Sequence, residues 1–436
     1  MSTVAAQSPF MKTLLGGEPA GASGTAWLDR LRAGALERAN SVPLPTTRDE
    51  EWRFTDLAPL TRLSFQPVVE AADVAQDDVR DRCFPDSHAR LVFVDGVWSS
   101  ELSQVSAGDG VAAMNLREAM AKYPALVEQH LGKLARSDSN VFDALNTAYL
   151  RHAAVIVVAD ECSAPRPVHV LQLATGRPGA HALYPRVLVV AGSRSRCTVI
   201  EDFVALAESV YFSAPVTEIV VGPQAAVSHV RLQREAPDAF QIGSCNVSQD
   251  RASSYQSIHV ALGARISRLE LNVTHTGVGC ETRIDGLALI GRRQLADTHS
   301  FVDHAHPEGK LRQVHKCVAG AGAHAVFNGK ILVREGAQRT DAGQSCRGLL
   351  LSDRAHIDVK PQLEIFADDV KCAHGAAIGQ LDPDELFYLQ SRGLAHERAR
   401  NLLTYAFAAE VIERVPVAAI RTRLAHTVLE RTQEPA

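Results

Sequence analysis

From Ala153 onward the chain is a succession of short apolar runs broken by single polar positions. Examples are AVIVVA, VHVLQLA, PRVLVVAG, RCTVIEDFV, TEIVVGP, AVSHVRLQRE and SRLELNVTH. The runs are rich in β-branched residues and bounded by Gly, Pro, Ser or Asp, which marks strands. They recur roughly every 8–14 residues as far as Val370, with no convincing helical block between them. So long a series of strands without helices must close on itself or wind into a solenoid. Periodicity alone does not choose between packed sheets, a barrel and a β-helix, and no crisp repeat motif is visible.

Both ends follow a different pattern. Residues 1–150 read as mainly helical. In Ala26–Asn40, Trp27, Leu28, Leu31, Ala35 and Leu36 share one stripe. Asn115–Gly132 and Ser139–His152 also read as helices, and Leu91–Trp98 as a short strand turning at Asp95-Gly96. The last segment, 381–436, is helical again. Leu402, Leu403, Ala406, Phe407 and Val411 form one apolar stripe, and Ile420, Leu424, Val428 and Leu429 a second. The expected organisation is therefore 1–150, 151–380 and 381–436.

Composition narrows the function class. The 436 residues are 46% hydrophobic and 22% charged, with a net charge of −5, a normal globular balance. No Lys/Arg run points to nucleic acid or an anionic membrane, and no apolar stretch is long enough to span a bilayer. The N-terminus lacks a basic n-region followed by an apolar core, so a cytosolic location is expected. The eight cysteines include no CxxC pair and read as free thiols. No G-x-x-x-x-G-K-[ST] occurs, which excludes a P-loop ATPase. Gly320-Ala321-Gly322 is not followed by a helical pattern, so it is no dinucleotide fingerprint.

The densest chemistry lies in Lys360–Gly393, KPQLEIFADDVKCAHGAAIGQLDPDELFYLQSRG. Leu363 and Ile365 alternate with Glu364, and Val370, Cys372 and His374 alternate in turn, which places Cys372 and His374 on one face of a strand. A thiol beside an imidazole is half of a metal site, or a thiol with an adjacent base. A helix then begins, with Asp382 as N-cap, Pro383 at its first position and Glu385 in the capping-box place, and it stops at Gly393. A second candidate is the window His299, His304, His306, His315, Cys317 and His324. There His304/His306 and His315/Cys317 are same-face pairs if extended, although the spacing fits no standard zinc pattern.

The run K-P-x-L-E-I-x-A-D-x-V-K-C-x-H-G-A resembles the end of the core domain of the SufD family, subunits of the Suf iron–sulfur cluster assembly machine. Pro45–Leu57 (PTTRDEEWRFTDL), Leu91–Ser103, Val326–Ile331 and Ser391–Val415 agree with it, so the resemblance covers nearly the whole chain. Gly375 stands where the SufB paralogue has a carboxylate, which favours SufD. The resemblance implies a mainly β fold. A right-handed parallel β-helix core would lie between an α-helical N-terminal region and a C-terminal helical subdomain.

It also implies a non-catalytic scaffold that pairs with SufB through the β-helix and binds the SufC ATPase through the C-terminal helices, with Leu402, Leu403, Ala406, Phe407 and Val411 as contacts. The isolated chain would form a homodimer by the surface given to SufB. A transient Fe–S cluster would form at the SufB interface with His374 and Cys372 nearby, and none would be tightly bound in the isolated chain. Cys346 falls where SufB has a functional cysteine, and it reads either as a neutral substitution or as an additional ligand. Three other readings stay open: a SufB-like main cluster scaffold using Cys346; a free-standing metal-binding β-helix protein built on the His299–His324 window, with His304, His306, His315 and Cys317 as its candidate ligands; and a purely structural adaptor in which Cys372 and His374 are inert.

Overall fold

The computed structural model describes residues 8–17, 21, 23–84, 86–108 and 110–431. Two long sheets face each other and the chain passes between them once per strand, giving a parallel β-solenoid of about eight turns. One sheet runs through strands beginning at His356, His324, Leu295, Ile266, Phe240, Val216, Arg186 and Ala154. The other runs through those beginning at Lys371, Asp341, Lys310, Glu281, Ser254, Ala226, Arg196 and Val168.

Like residues stack along the lumen. Val189, Ile219, Val247, Val273, Val302, Ile331 and Leu363 form one continuous register column. Each fully buried side chain of this kind contributes about 1.5–3 kcal/mol.

The outer faces are covered as well, which is why the strands read as apolar runs more than as strict alternation. On one sheet Phe212, Phe240 and Ile266 pack against Phe10, Phe65 and Phe142 from the N-terminal region. On the other, Val230, Ile258, Leu287, Val318 and Leu349 meet Ala408, Val411, Ile412, Ile420, Leu424 and Val428. Lys316 anchors that docking: its Nζ donates to the Phe407 carbonyl at 2.7 Å and pairs with Glu410 at 2.6 Å.

The N-terminal region is less purely helical than its pattern suggests. Ala89–Val94 pairs in parallel with Val168–Ala174, and Val111–Asn115 pairs antiparallel with Ala154–Val158, so both extend the solenoid sheets ahead of residue 151. The hairpin at Asp95-Gly96 is present, both residues at positive φ (51° and 80°) as a tight hairpin turn requires.

Between Ala319 and His324, Gly320–Gly322 is a solenoid corner and no helix follows. No helix among the described residues is long and apolar enough to cross a membrane.

Candidate functional site at the open end of the solenoid

The last coil consists of His356–Ile365 in one sheet and Lys371–Gln380 in the other, ten residues each. Among the described residues each pairs only inward, with His324–Val333 and Asp341–Leu350 respectively. Their outer edges carry unpaired backbone donors and acceptors, and hardly a residue of either strand is buried. Long unpaired edges are pairing templates that folded proteins otherwise blunt or cover. Ile365, Phe366 and Ile378 add exposed apolar surface to this coil.

Cys372 and His374 lie on this terminal strand and share a face, as their spacing predicts; that face is the lumen side. Their partners one coil inward are the buried Ala342 and Gln344. Cys372 is half-buried against the lumen core, whereas His374 is exposed because no further coil covers it. Burial pushes the Cys372 thiol up, which favours its protonated form until a metal or a partner changes its surroundings. Beneath His374, Gln344 donates to Gln313 at 2.8 Å and Gln313 to Ser300 at 2.8 Å, so a hydrogen-bonded amide chain runs inward from the site.

Cys346 is one strand further in, 1% exposed, directly under Ala376. It neighbours the Cys317 thiol, and that neighbour, with burial, pushes Cys317 far up. The three candidates thus share the lumen face of the last two strands of one sheet, but only Cys372 and His374 reach the opening. Two soft or borderline donors do not close a tetrahedral site, so the remaining ligands of any metal held there must come from outside this chain.

The histidine window does not form one site. The strand ends at His304, which is buried, while His306 sits exposed on the following corner, so these two do not share a face. His304 packs edge-on against His275, ring centroids 4.4 Å apart. His315 and Cys317 do both face the lumen, but His315 stacks on Phe327 at 4.4 Å. His299 points outward, 3.0 Å from Asp297 and 3.2 Å from Glu51, and His324 pairs with Asp358. Among the described residues, no group of three or more His, Cys, Asp or Glu side chains is arranged to hold a metal.

The buried imidazoles instead shape acid stability. Burial holds His275 and His315 down at about 3 and His304 at about 4. In the unfolded chain each takes a proton near pH 6.5. Their stabilisation is complete above that pH and is lost as pH falls towards the native values, by about 1.4 kcal/mol per pH unit per histidine. His229 runs the other way. Burial alone would lower it, but its contacts to Cys245 and Glu201 hold it at about 9, so its share is full below about pH 6.5 and lost on the way up to about 9. Burial holds the Asp143 and Glu235 carboxyls up at about 6 and about 7, which offsets part of this loss, but the histidines outnumber them, so urea midpoints should fall between pH 6 and 5 and His315→Phe should flatten the slope. A flat midpoint across that interval would contradict this account.

The sequence named two further segments, the capped helix after Asp382 and Pro45–Leu57, without showing what each one faces. Asp382 caps the helix Pro383–Ser391 by accepting from Asp384 N at 2.8 Å, and Gly393 ends it at φ 91°. None of its residues is buried, and Phe387 and Tyr388 are 72% and 57% exposed. An aromatic pair directly after a strong cap was the available signal. Of the stripe predicted to meet a partner, Val411 and much of Phe407 pack on the chain's own solenoid, while Leu402 and Ala406 point outward and Leu403 is intermediate.

The second feature is the segment Pro45–Leu57, which straps the outside of one sheet. Trp52 lies 3.8 Å from the Arg268 guanidinium, Thr55 donates to Asp297 at 2.6 Å, Glu51 reaches His299 and Asn328, and Glu50 pairs with Lys360 of the terminal coil.

Comparisons with known proteins agree with this architecture. Residues 173–407 match the SufBD core domain of the SUF system for FeS cluster assembly, and residues 21–170 match the SufBD N-terminal region. An iron–sulfur cluster assembly SufBD family protein of Synechocystis is 38% identical over 92% of this chain and 90% of its own length. The iron–sulfur cluster assembly protein SufD of Escherichia coli is 30% identical over 87% of each chain. SufD of Bacillus subtilis is 28% identical over 93% of this chain and 94% of its own. With both domains matched and the relatives spanned almost end to end, the chain belongs to the SufBD family of iron–sulfur cluster assembly proteins.

Proposed function

We propose that this chain is a non-catalytic scaffold subunit of a Suf assembly complex, acting as SufD beside a SufB-like solenoid and a SufC-like ATPase. The observation that carries the reading is the open terminal coil: two ten-residue edges, exposed apolar side chains, and an imidazole and a thiol facing the opening. A second solenoid placed end to end would satisfy those edges and supply the ligands that Cys372 and His374 lack. The nascent cluster is then cargo held between two chains, and partial ligation by each allows its release. The helices at the C-terminus, with Phe387, Tyr388 and Leu402 outward, are the surface offered to the ATPase. Movement of that partner would be transmitted through Lys316 and the helix Ala418–Arg431 to the solenoid wall.

The test is anaerobic co-purification with SufB- and SufC-like partners, comparing wild type with His374→Ala and Cys346→Ala and measuring bound iron and sulfide. All three should assemble. His374→Ala should carry clearly less iron and sulfide, and the enclosed Cys346 should matter less. Equal cluster in wild type and His374→Ala would make the chain an adaptor. Failure to form any complex would overturn the partner assignment.

A further inference from the structure

A cavity of about 780 Å³ lies among the N-terminal helices, far along the sheets from the terminal coil. Its walls come from the helices Ala26–Ser41 and Leu116–Lys122 and from Arg151-His152, which lead into the strand Ala154–Val158. Three guanidiniums line it, Arg32, Arg117 and Arg151, and no carboxylate is among the described lining residues. In a chain of net charge −5 this is a local excess, not general basicity.

Arg32 is fixed in place. It is 8% exposed, its Nε donates to the Leu150 carbonyl at 2.9 Å and its Nη1 to the Gly21 carbonyl at 3.1 Å, with Asp29 behind it at 3.4 Å. The positive field reaches the opposite wall: His152 is held below its usual range, first by burial and then by Arg151 and Arg32. Arg117 is exposed and makes no hydrogen bond or ion pair among the described residues.

Ser23, Thr25 and His152 add polar groups, and one side of the wall is apolar, with Trp27 and Met120 half-buried beside the buried Leu28 and Leu116. The volume is in the range of small-molecule sites, roughly 300–1,000 Å³, and such sites combine an apolar lining with a few placed polar groups. An inorganic anion alone would leave the Trp27 side unfilled. An uncharged ring would set apolar atoms against guanidiniums, which favour carboxylate or phosphate oxygens in bidentate pairs. We propose that this cavity binds an aromatic organic anion, its ring against Trp27 and Met120 and its phosphate or carboxylate held by Arg117 and Arg151. This site is independent of the terminal coil and of the scaffold reading.

Titration calorimetry on the full-length chain tests it, with adenosine 5′-monophosphate and 1-naphthoate as phosphate and carboxylate probes, and adenosine and inorganic phosphate as half-ligands. At least one aromatic anion should bind saturably, at least about tenfold more tightly than either half-ligand. Arg117→Glu should weaken it by about tenfold or more, the scale of a lost charge-assisted hydrogen bond. Trp27 emission should change on binding, and Trp27→Phe should remove that signal. Which probe binds identifies the acidic group. Because Arg117 is exposed, the fold should survive the reversal; should it not, Arg117→Gln takes its place. The proposal is overturned if neither anion binds, if the Arg117 variant binds as well as wild type, or if inorganic phosphate binds as tightly as the aromatic probes.

Discussion

Replacing Asp297 with alanine should cost about 3–5 kcal/mol, the usual penalty for removing one partner of a buried ion pair. Asp297 is 2% exposed and is contacted by Arg268, by Thr55 at 2.6 Å and by His299 at 3.0 Å. Burial alone would raise its carboxyl, but His299 and Arg268 outweigh that and hold it far below the ordinary carboxylate range. Its stabilisation is thus present above about pH 4, the unfolded value, and fades as pH falls through the depressed native one. Without it, Arg268 retains Glu270 at 3.0 Å and the face of Trp52, and Thr55 loses its acceptor.

The strap Pro45–Leu57 should then loosen, so the measurement has two parts. Urea denaturation should show a lower midpoint, and limited proteolysis should cut near Arg48 or Arg53 faster than in wild type. The double variant Arg268→Met/Asp297→Leu should recover most of the stability, because it removes both charges together. A double variant no better than the single one would show that the ion pair is not the source of the loss.

That strap also shows what the sequence does and does not make legible. Its pattern, PTTRDEEWRFTDL, stands out through an unusual residue set, yet nothing local tells that Trp52 will lie on Arg268, 216 positions along by numbering in the chain, or that Glu50 will reach Lys360. The strands themselves are legible because β-branched residues recur with turn residues between them. The winding is not, for two physical reasons. Successive register partners, such as Ser254, Glu281, Lys310 and Asp341, are separated by about 30 residues with a count that wanders from coil to coil, which blurs any repeat. The corners also place Arg194, Gln224, Ala252, Arg292, Glu308, Ala321 and Arg339 at positive φ, where glycine would be the usual signal. Only the family resemblance chose a solenoid in advance.

The candidate site divides in the same way. Cys372 and His374 share a face because a strand has period two, and that much is read directly from spacing. That the face belongs to the last coil, and that Cys346 is sealed one strand inward, depends on register with residues far away in sequence. The pair His304/His306 failed because the strand ends between them, and strand ends are set by the corner geometry of the neighbouring coils.

The second large effect concerns the open edge itself. Ile378→Lys should weaken association with a SufB-like solenoid, or with a second copy of this chain, by about a hundredfold or more. Ile378 is 46% exposed on the outermost strand, stacked over Gly348 in register with the buried Cys317 below. In an end-to-end pair it would be covered from the other side, and a lysine there would bury an ammonium with no carboxylate built to meet it. Lysine on an edge strand is also the device by which natural sheets refuse a further strand. Because the site is exposed in the isolated chain, the variant should keep the wild-type urea midpoint, which separates loss of pairing from loss of fold. Sedimentation of the isolated chain and titration with the SufB-like partner give the reading. If Ile378→Lys pairs as tightly as wild type while Leu402→Glu does not, the terminal coil is not the docking edge and the helical surface alone carries assembly.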